Sequence, residues 1–546
     1  MRTLERAVGR GTGAAAIALL LACGRSPAPE APPPPAQAVG VTIADLSGVN
    51  ELVAADVQFT SDILDQLFVQ LLAEQDDFQE HPPTFRPELA SSHEWSADRK
   101  TITFHLRPDA VWSDGAPITA DDVRFTWEAQ KSDAVAWSYS HLKESISDVE
   151  VVDPHTVRFH VTQEYAYLLV DLNDGKILPR HAWGAVPFAD WRGSADRFRE
   201  TLVTSGPFRL AEWRPGERIV LEKNERFYDR ARPRLDRVEF RVAPDAATHA
   251  DLLAAGAIDF ACGLSPADAR RLEGKPGVRL VPFDFRQYDY VCWNSRRKPF
   301  DDPEIRRAMT LGIDRQALVD TLFAGFARVA VSAIPSNFWG FDRELAPWPY
   351  DPAEARRILA AKGFRDSNGD GIVERSGKPF SFELTTNSSN RMRGDALVLI
   401  QEQLRKIGVD ARPVTMEIHT LTERNVAHEF DATLSGWAVD TTLDIKPYFH
   451  SSEADGGYNF GDYRNPEVDR RLDAARRAAS PELARPDLVE IQRILHREQP
   501  YTFLWEPKRI CAVRDELAYV RPNALSSYFN LAEWRLAPGP PATAPD

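Results

Sequence analysis

Cysteine is scarce in this chain, with four among 546 residues, and methionine is as rare. None of the four cysteines stands in a CxxC or other metal-ligand spacing, so zinc-ribbon and thiol-redox chemistry have no motif to rest on. HExxH, GxSxG and phosphate-loop patterns are missing, and the twelve histidines form no ligand pair at helical spacing. The chain is expected not to be an enzyme and to need no cofactor or resident metal. After the N-terminal region no long apolar run recurs, so no later segment is expected to span a bilayer. Basic residues are outnumbered by acidic ones, 66 to 81, for a formal charge of −15. Such a balance disfavours nucleic acid and anionic lipid as partners.

The N-terminus is rich in meaning. Arg2, Arg6 and Arg10 form a positive stretch, Ala14 to Ala22 are apolar, and Cys23 follows Leu20-Leu21-Ala22. This pattern predicts a bacterial lipoprotein signal peptide over 1–22, cut so that Cys23 becomes the lipidated first residue. The following segment carries six prolines between Pro27 and Pro35, which predicts an extended tether over 23–40. The expected location is extracytoplasmic, either periplasmic or cell-surface, on a membrane anchor. Cys262, Cys292 and Cys511 then remain, either as one disulfide and one thiol or as three buried thiols.

The rest of the chain is too long for one hydrophobic core and implies two or three domains. Ile63, Leu64, Leu67, Phe68 and Leu71 recur at helical spacing, which predicts a helix packed on a sheet. Ile102, Phe104 and Leu106 alternate with polar residues, as in a half-buried strand over Thr101–Arg107. Asp114-Gly115 marks a turn, and Thr119 to Asp122 forms a capping box ahead of a helix through Phe125 and Trp127. Ser265-Pro266, Asp302-Pro303, Asp351-Pro352 and Asn465-Pro466 each pair a capping side chain with proline at the first helical position. Gly274 and Gly363 supply left-handed stops. Short β-branched and aromatic runs lie between these helices, at 218–221, 237–242, 278–282, 380–385 and 431–437. The alternation predicts mixed α/β lobes.

Several stretches in order resemble one family. Phe104-His-Leu-Arg107 with Val111-Trp-Ser-Asp-Gly-Ala-Pro-Ile-Thr-Ala-Asp-Asp-Val123 forms the first, and Ser205-Gly-Pro-Phe208 with Trp213, Pro215-Gly216 and Asn224 the second. Trp293-Asn294, Pro299-Phe300, Arg306 and Ile313-Asp314-Arg315 follow. Gly408-Val409 and Gly436-Trp437-Ala-Val-Asp440 complete the set. Together they resemble the family 5 (cluster C) extracytoplasmic solute-binding proteins of ABC transporters, of the dipeptide- and oligopeptide-binding type. The resemblance implies an α/β, two-lobed, periplasmic-binding-protein-like fold of type II with three subdomains. Lobe 1 would combine a core of 41–84, 204–286 and 500–546 with an inserted domain, 85–203. Lobe 2 would be 287–499.

The same resemblance implies capture of a peptide or similar small polar ligand between the lobes and delivery to an ABC permease and ATPase complex, by a protein acting as a monomer. A sensory lipoprotein, or a receptor for a metal chelate, heme, an opine or an oligosaccharide, keeps the fold and changes the role. Asp440 matches the aspartate that holds the ligand's α-ammonium in the peptide receptors. Trp437 either walls the pocket or fills a strand end. Trp293 and Asn294 lie where the chain crosses between lobes, and Tyr458 and Asn459 follow Gly456-Gly457 on a loop that reaches toward the cleft. The position that holds the carboxylate-binding arginine in the dipeptide receptors is Asn387 here, with Arg391 and Arg393 the nearest substitutes. Asp366, Asn368, Asp370 and Glu374 follow the first half of a calcium loop, but Gly377 stands where that loop needs its bidentate glutamate, and the stretch equally reads as a plain turn.

Overall fold

Proline at the first helical position works as the sequence predicts. Helices run over Pro266–Leu272, Pro303–Gly312, Pro352–Ala361 and Pro466–Arg477, each with the preceding Ser265, Asp302, Asp351 or Asn465 side chain accepting a backbone N–H. Gly274 and Gly363 follow two of these helices with φ of 73° and 88°, a backbone region that costs a residue without a Cβ little. The helix Ala120–Lys131 opens on the Thr119–Asp122 capping box. These features belong to a computed structural model that describes residues 35–55 and 57–537. The signal peptide, Cys23 and most of the tether lie outside the described residues. Every element below belongs to the unit that begins at Ala36.

One strand organises the sheets. Tyr501–Arg514 is 14 residues long and pairs along its first half with Gln287–Trp293 and along its second with Val278–Asp284 and Phe260–Cys262. On the Phe260 side the order continues through Gln37–Thr42, Arg237–Val242, Arg218–Lys223 and Phe208–Arg214. On the other side it continues from Gln287–Trp293 through Ala432–Ala438 and Ser381–Asn387 to Asp410–Met416. A separate antiparallel sheet takes the order Ala90–Trp95, Thr101–Leu106, Thr156–Val161, Ile146–Asp153. Thr101–Leu106 alternates between partly and fully buried positions, as its pattern predicts.

The apolar faces are buried in separate cores, one of them shared between the two sheets. Ile102, Phe104 and Val157 share a core with Phe240 and Phe260, whereas Trp293, Phe382, Ile400 and Trp505 form another. The expected helix after the first strand is shorter than its apolar spacing suggests, running over Gln58–Leu67. Phe68 is already extended, because the next backbone groups bind elsewhere: Leu67 O accepts from Ser205 N and Gly206 N, and Val69 N donates to Ser205 Oγ. A Cβ on Gly206 would lie 2.5 Å from the Gln66 carbonyl oxygen. Glycine in this block therefore serves a close backbone approach.

The cysteine question is settled within the described residues. Cys262 and Cys511 face each other across paired strands and form a disulfide, while Cys292 is a buried free thiol. Such a bond suits an oxidising compartment. Among the described residues no helix is long and apolar enough to cross a membrane.

Candidate functional site

A cavity of roughly 680 Å³ opens where several of these elements meet, a volume within the range of small-molecule sites. Its wall takes Glu51, Asp65 and Glu74 from the N-terminal segment, Trp137, Asp174 and Lys176 from the middle of the chain, and Arg286, Asp440 and Asn523 from further on. Nine carboxylate side chains line it against five basic ones. The cavity is therefore acidic, like the chain as a whole.

Asp440 reaches the wall for a topological reason. Gln287 pairs with Ala438 across antiparallel strands, and Val439 N donates to Arg286 O at 2.7 Å just beyond them. This register sets Arg286 beside Asp440, and the two side chains form an ion pair. The Asp440 side chain is 71% exposed, so it stands at the mouth of the cavity. Burial works against the Arg286 charge, but Asp440 and Glu74 together hold the guanidinium above its ordinary pKa.

Burial dominates the other carboxyls. Glu74 and Asp171 are each pushed up to about 7 by desolvation, although Tyr165 Oη donates to Asp171 at 2.7 Å. Glu51 and Glu88 are raised for the same reason. Burial also opposes the Lys176 charge, but Asp65, its ion-pair partner, and Glu51 hold that ammonium above its usual value. Desolvated carboxyls of this kind favour either a proton or an incoming cation.

The other predicted residues lie off the cavity wall. Trp437 stacks on Tyr448 at 4.3 Å and packs against a buried cluster containing Tyr290 and Tyr501. Tyr458 is 52% exposed and meets Trp437 edge-on. Trp293 is fully buried and donates from Nε1 to Thr502 Oγ1 at 3.0 Å. Asn294 donates to the His428 and Phe430 carbonyls at 3.0 and 2.7 Å. Asn459 is buried and donates to the His450 and Tyr463 carbonyls. Asn387 bonds Ser389 and accepts from Arg393, whose guanidinium pairs with Asp289. Arg391 is 94% exposed and faces Asp395. The residues that sequence reasoning did not single out are Arg286 and Glu74, neither of which belongs to a motif.

Asp366, Asp370 and Glu374 bring carboxylate oxygens within 4.8 Å of one another. All three already accept hydrogen bonds from their own turn: Asp366 from Gly369 N and Gly371 N, Asp370 from Asn368 Nδ2 and Ile372 N, and Glu374 from Ser367 N and Oγ. This is how a plain acidic turn closes on itself.

Comparison with known proteins adds the family. The profile of the bacterial extracellular solute-binding proteins, family 5 Middle, matches residues 84–460. The oligopeptide-binding protein AppA of Bacillus subtilis (strain 168) is 32% identical over 444 residues, covering 80% of each chain. The glutathione-binding protein GsiB of Salmonella typhimurium is 28% identical over 433 residues, covering 78% of this chain and 81% of that one. The solved structure of AppA from Bacillus subtilis in complex with a nonapeptide superposes with a TM-score of 0.76 at 29% identity, covering 92% of this chain and all of that one. The α/β fold is accordingly the two-lobed, periplasmic-binding-protein-like fold expected from the sequence.

Proposed function

The chain belongs to the bacterial extracellular solute-binding proteins of family 5, and from that premise we propose that it captures a peptide or similar small polar ligand in the acidic cavity and hands it, unaltered, to an ABC permease and ATPase complex. Its role as an extracytoplasmic solute receptor follows from the family. Peptide as the ligand class is this reading's own step, as are the lipid anchor at Cys23 and the division into lobe 1 (41–84, 204–286 and 500–546, with the insert 85–203) and lobe 2 (287–499). Closure of one lobe on the other would expel water from the cavity and strengthen every charge-assisted hydrogen bond in it.

The observation that carries the reading is Asp440 on the cavity wall, at the end of the Gly436-Trp437-Ala-Val-Asp440 stretch. A carboxylate at the mouth of an acidic cavity suits the α-ammonium of a peptide. One relative that matches over most of both chains is itself an oligopeptide-binding protein, which supports the same class. Calorimetric titration with trialanine and N-acetyl-trialanine tests the assignment. The wild-type chain is expected to prefer the free amine, and Asp440→Asn to lose about tenfold of that preference, or 1.4 kcal/mol. An unchanged preference in the variant would remove Asp440 from the amine site.

A further inference from the structure

Beside the exposed Asp440 on the cavity wall lies a carboxyl group that, among the described residues, no ion pair neutralises. Glu74 ends the short strand Leu72–Glu74 and lines the cavity, and its Oε1 is fully buried without a hydrogen-bond partner. Thr441 lies beside the carboxyl, and the charged groups facing it are Arg286, Asp174 and Asp440. Arg286 gives its ion pair to Asp440, and its Nε is itself buried without a partner. Two carboxyl groups thus face one guanidinium, and Glu74 is the one left without an ion pair among the described residues. A buried acceptor left empty is costly to keep, and the low local dielectric that makes it costly strengthens its bond to any cationic donor that arrives.

We propose that Glu74 is the residue that makes the cavity select ligands bearing an ammonium group: the ammonium sits between Glu74 and Asp440 and donates to the unfilled Oε1. The inference rests on the peptide reading above and adds to it. Asp440 at the solvent-facing mouth is already paired, so most of the discrimination against ligands without an amine comes from Glu74. A buried carboxyl near neutrality also ties binding to pH. As the pH rises from 5 toward 7 the Glu74 proton is lost more easily, and affinity for an amine-bearing ligand rises with it. Arg286 stays charged throughout that range.

Titration of wild type, Glu74→Gln and Asp440→Asn with trialanine and N-acetyl-trialanine tests the proposal. Glu74→Gln is expected to shrink the free-amine preference at pH 7.5 by about tenfold or more and to flatten the rise of trialanine affinity between pH 5 and 7. Glu74→Asp keeps the charge but draws it back by one methylene, so a smaller loss in the same direction is expected. An unchanged preference in both Glu74 variants, with a reduced one in Asp440→Asn, would overturn this inference and leave the peptide reading standing. A wild-type protein with no preference for the free amine would overturn both. Thermal unfolding checks the variant itself: Glu74 carries a desolvation penalty that is absent below its unfolded pKa and complete above about 7. The Glu74→Gln midpoint is therefore expected to match wild type near pH 4.5 and to exceed it at pH 8.

Discussion

At the scale of single residues, Asn294 and Asp440 differ in what surrounds them. Both stand out in the sequence at the edge of a family block, yet Asn294 is fully buried with its amide on two carbonyls and its oxygen accepting from Arg296 N, whereas Asp440 faces the cavity. Replacing Asn294 with Ala would leave the His428 and Phe430 carbonyls unsatisfied. A loss of about 2–3 kcal/mol is expected in denaturant unfolding, with trialanine affinity within twofold of wild type. A tenfold fall in affinity at unchanged stability would move Asn294 into the site instead. Asp440 was legible because a contiguous pattern carries it. Arg286 and Glu74 were not: Arg286 meets Asp440 through strand register between segments far apart in the chain, Glu74 joins them only on the cavity wall, and nothing local marks either one.

Elements were the most legible level. Capping side chains and first-turn prolines act within a few residues, so four Pro-initiated helices could be placed from sequence alone, although the same Ser480-Pro481 start of the helix Pro481–Glu498 was not singled out. The helix Gln58–Leu67 was the exception at its C-terminal end. Phe68 and Leu71 are buried as their spacing suggests, but the strand-like turn toward Ser205 and Gly206 is a tertiary bond that no helical periodicity announces. Cysteine pairing was likewise open until the strands Phe260–Cys262 and Tyr501–Arg514 were set side by side. The resulting bond closes a separation of 249 residues, so reduction is expected to lower stability by about 2–4 kcal/mol. Cys292, whose thiol pKa burial pushes well up, should resist alkylation in the native state. Peptide mapping without reduction is expected to recover Cys262 linked to Cys511 and Cys292 unlinked. A recovered link through Cys292 would contradict the fold at its central strand.

For the molecule as a whole, the α/β class and the two-lobed fold were readable from the ordered blocks, while the cavity was not. A cavity is the space left by segments from residue 51 to residue 533, and its acidity shows only once those side chains are gathered. The long strand Tyr501–Arg514 is joined to both halves of the large sheet and keeps them connected. On the proposed reading, function then reduces to gripping a cationic end of a small guest and letting it go. The most direct measurement is native mass spectrometry of the protein incubated with a defined mixture of free-amine tripeptides and their N-acetylated counterparts. The account predicts a complex heavier than the protein by the mass of one intact, free-amine tripeptide, with the mixture unchanged after hours. Equal capture of acetylated peptides, no complex at all, or the appearance of cleaved products would contradict it.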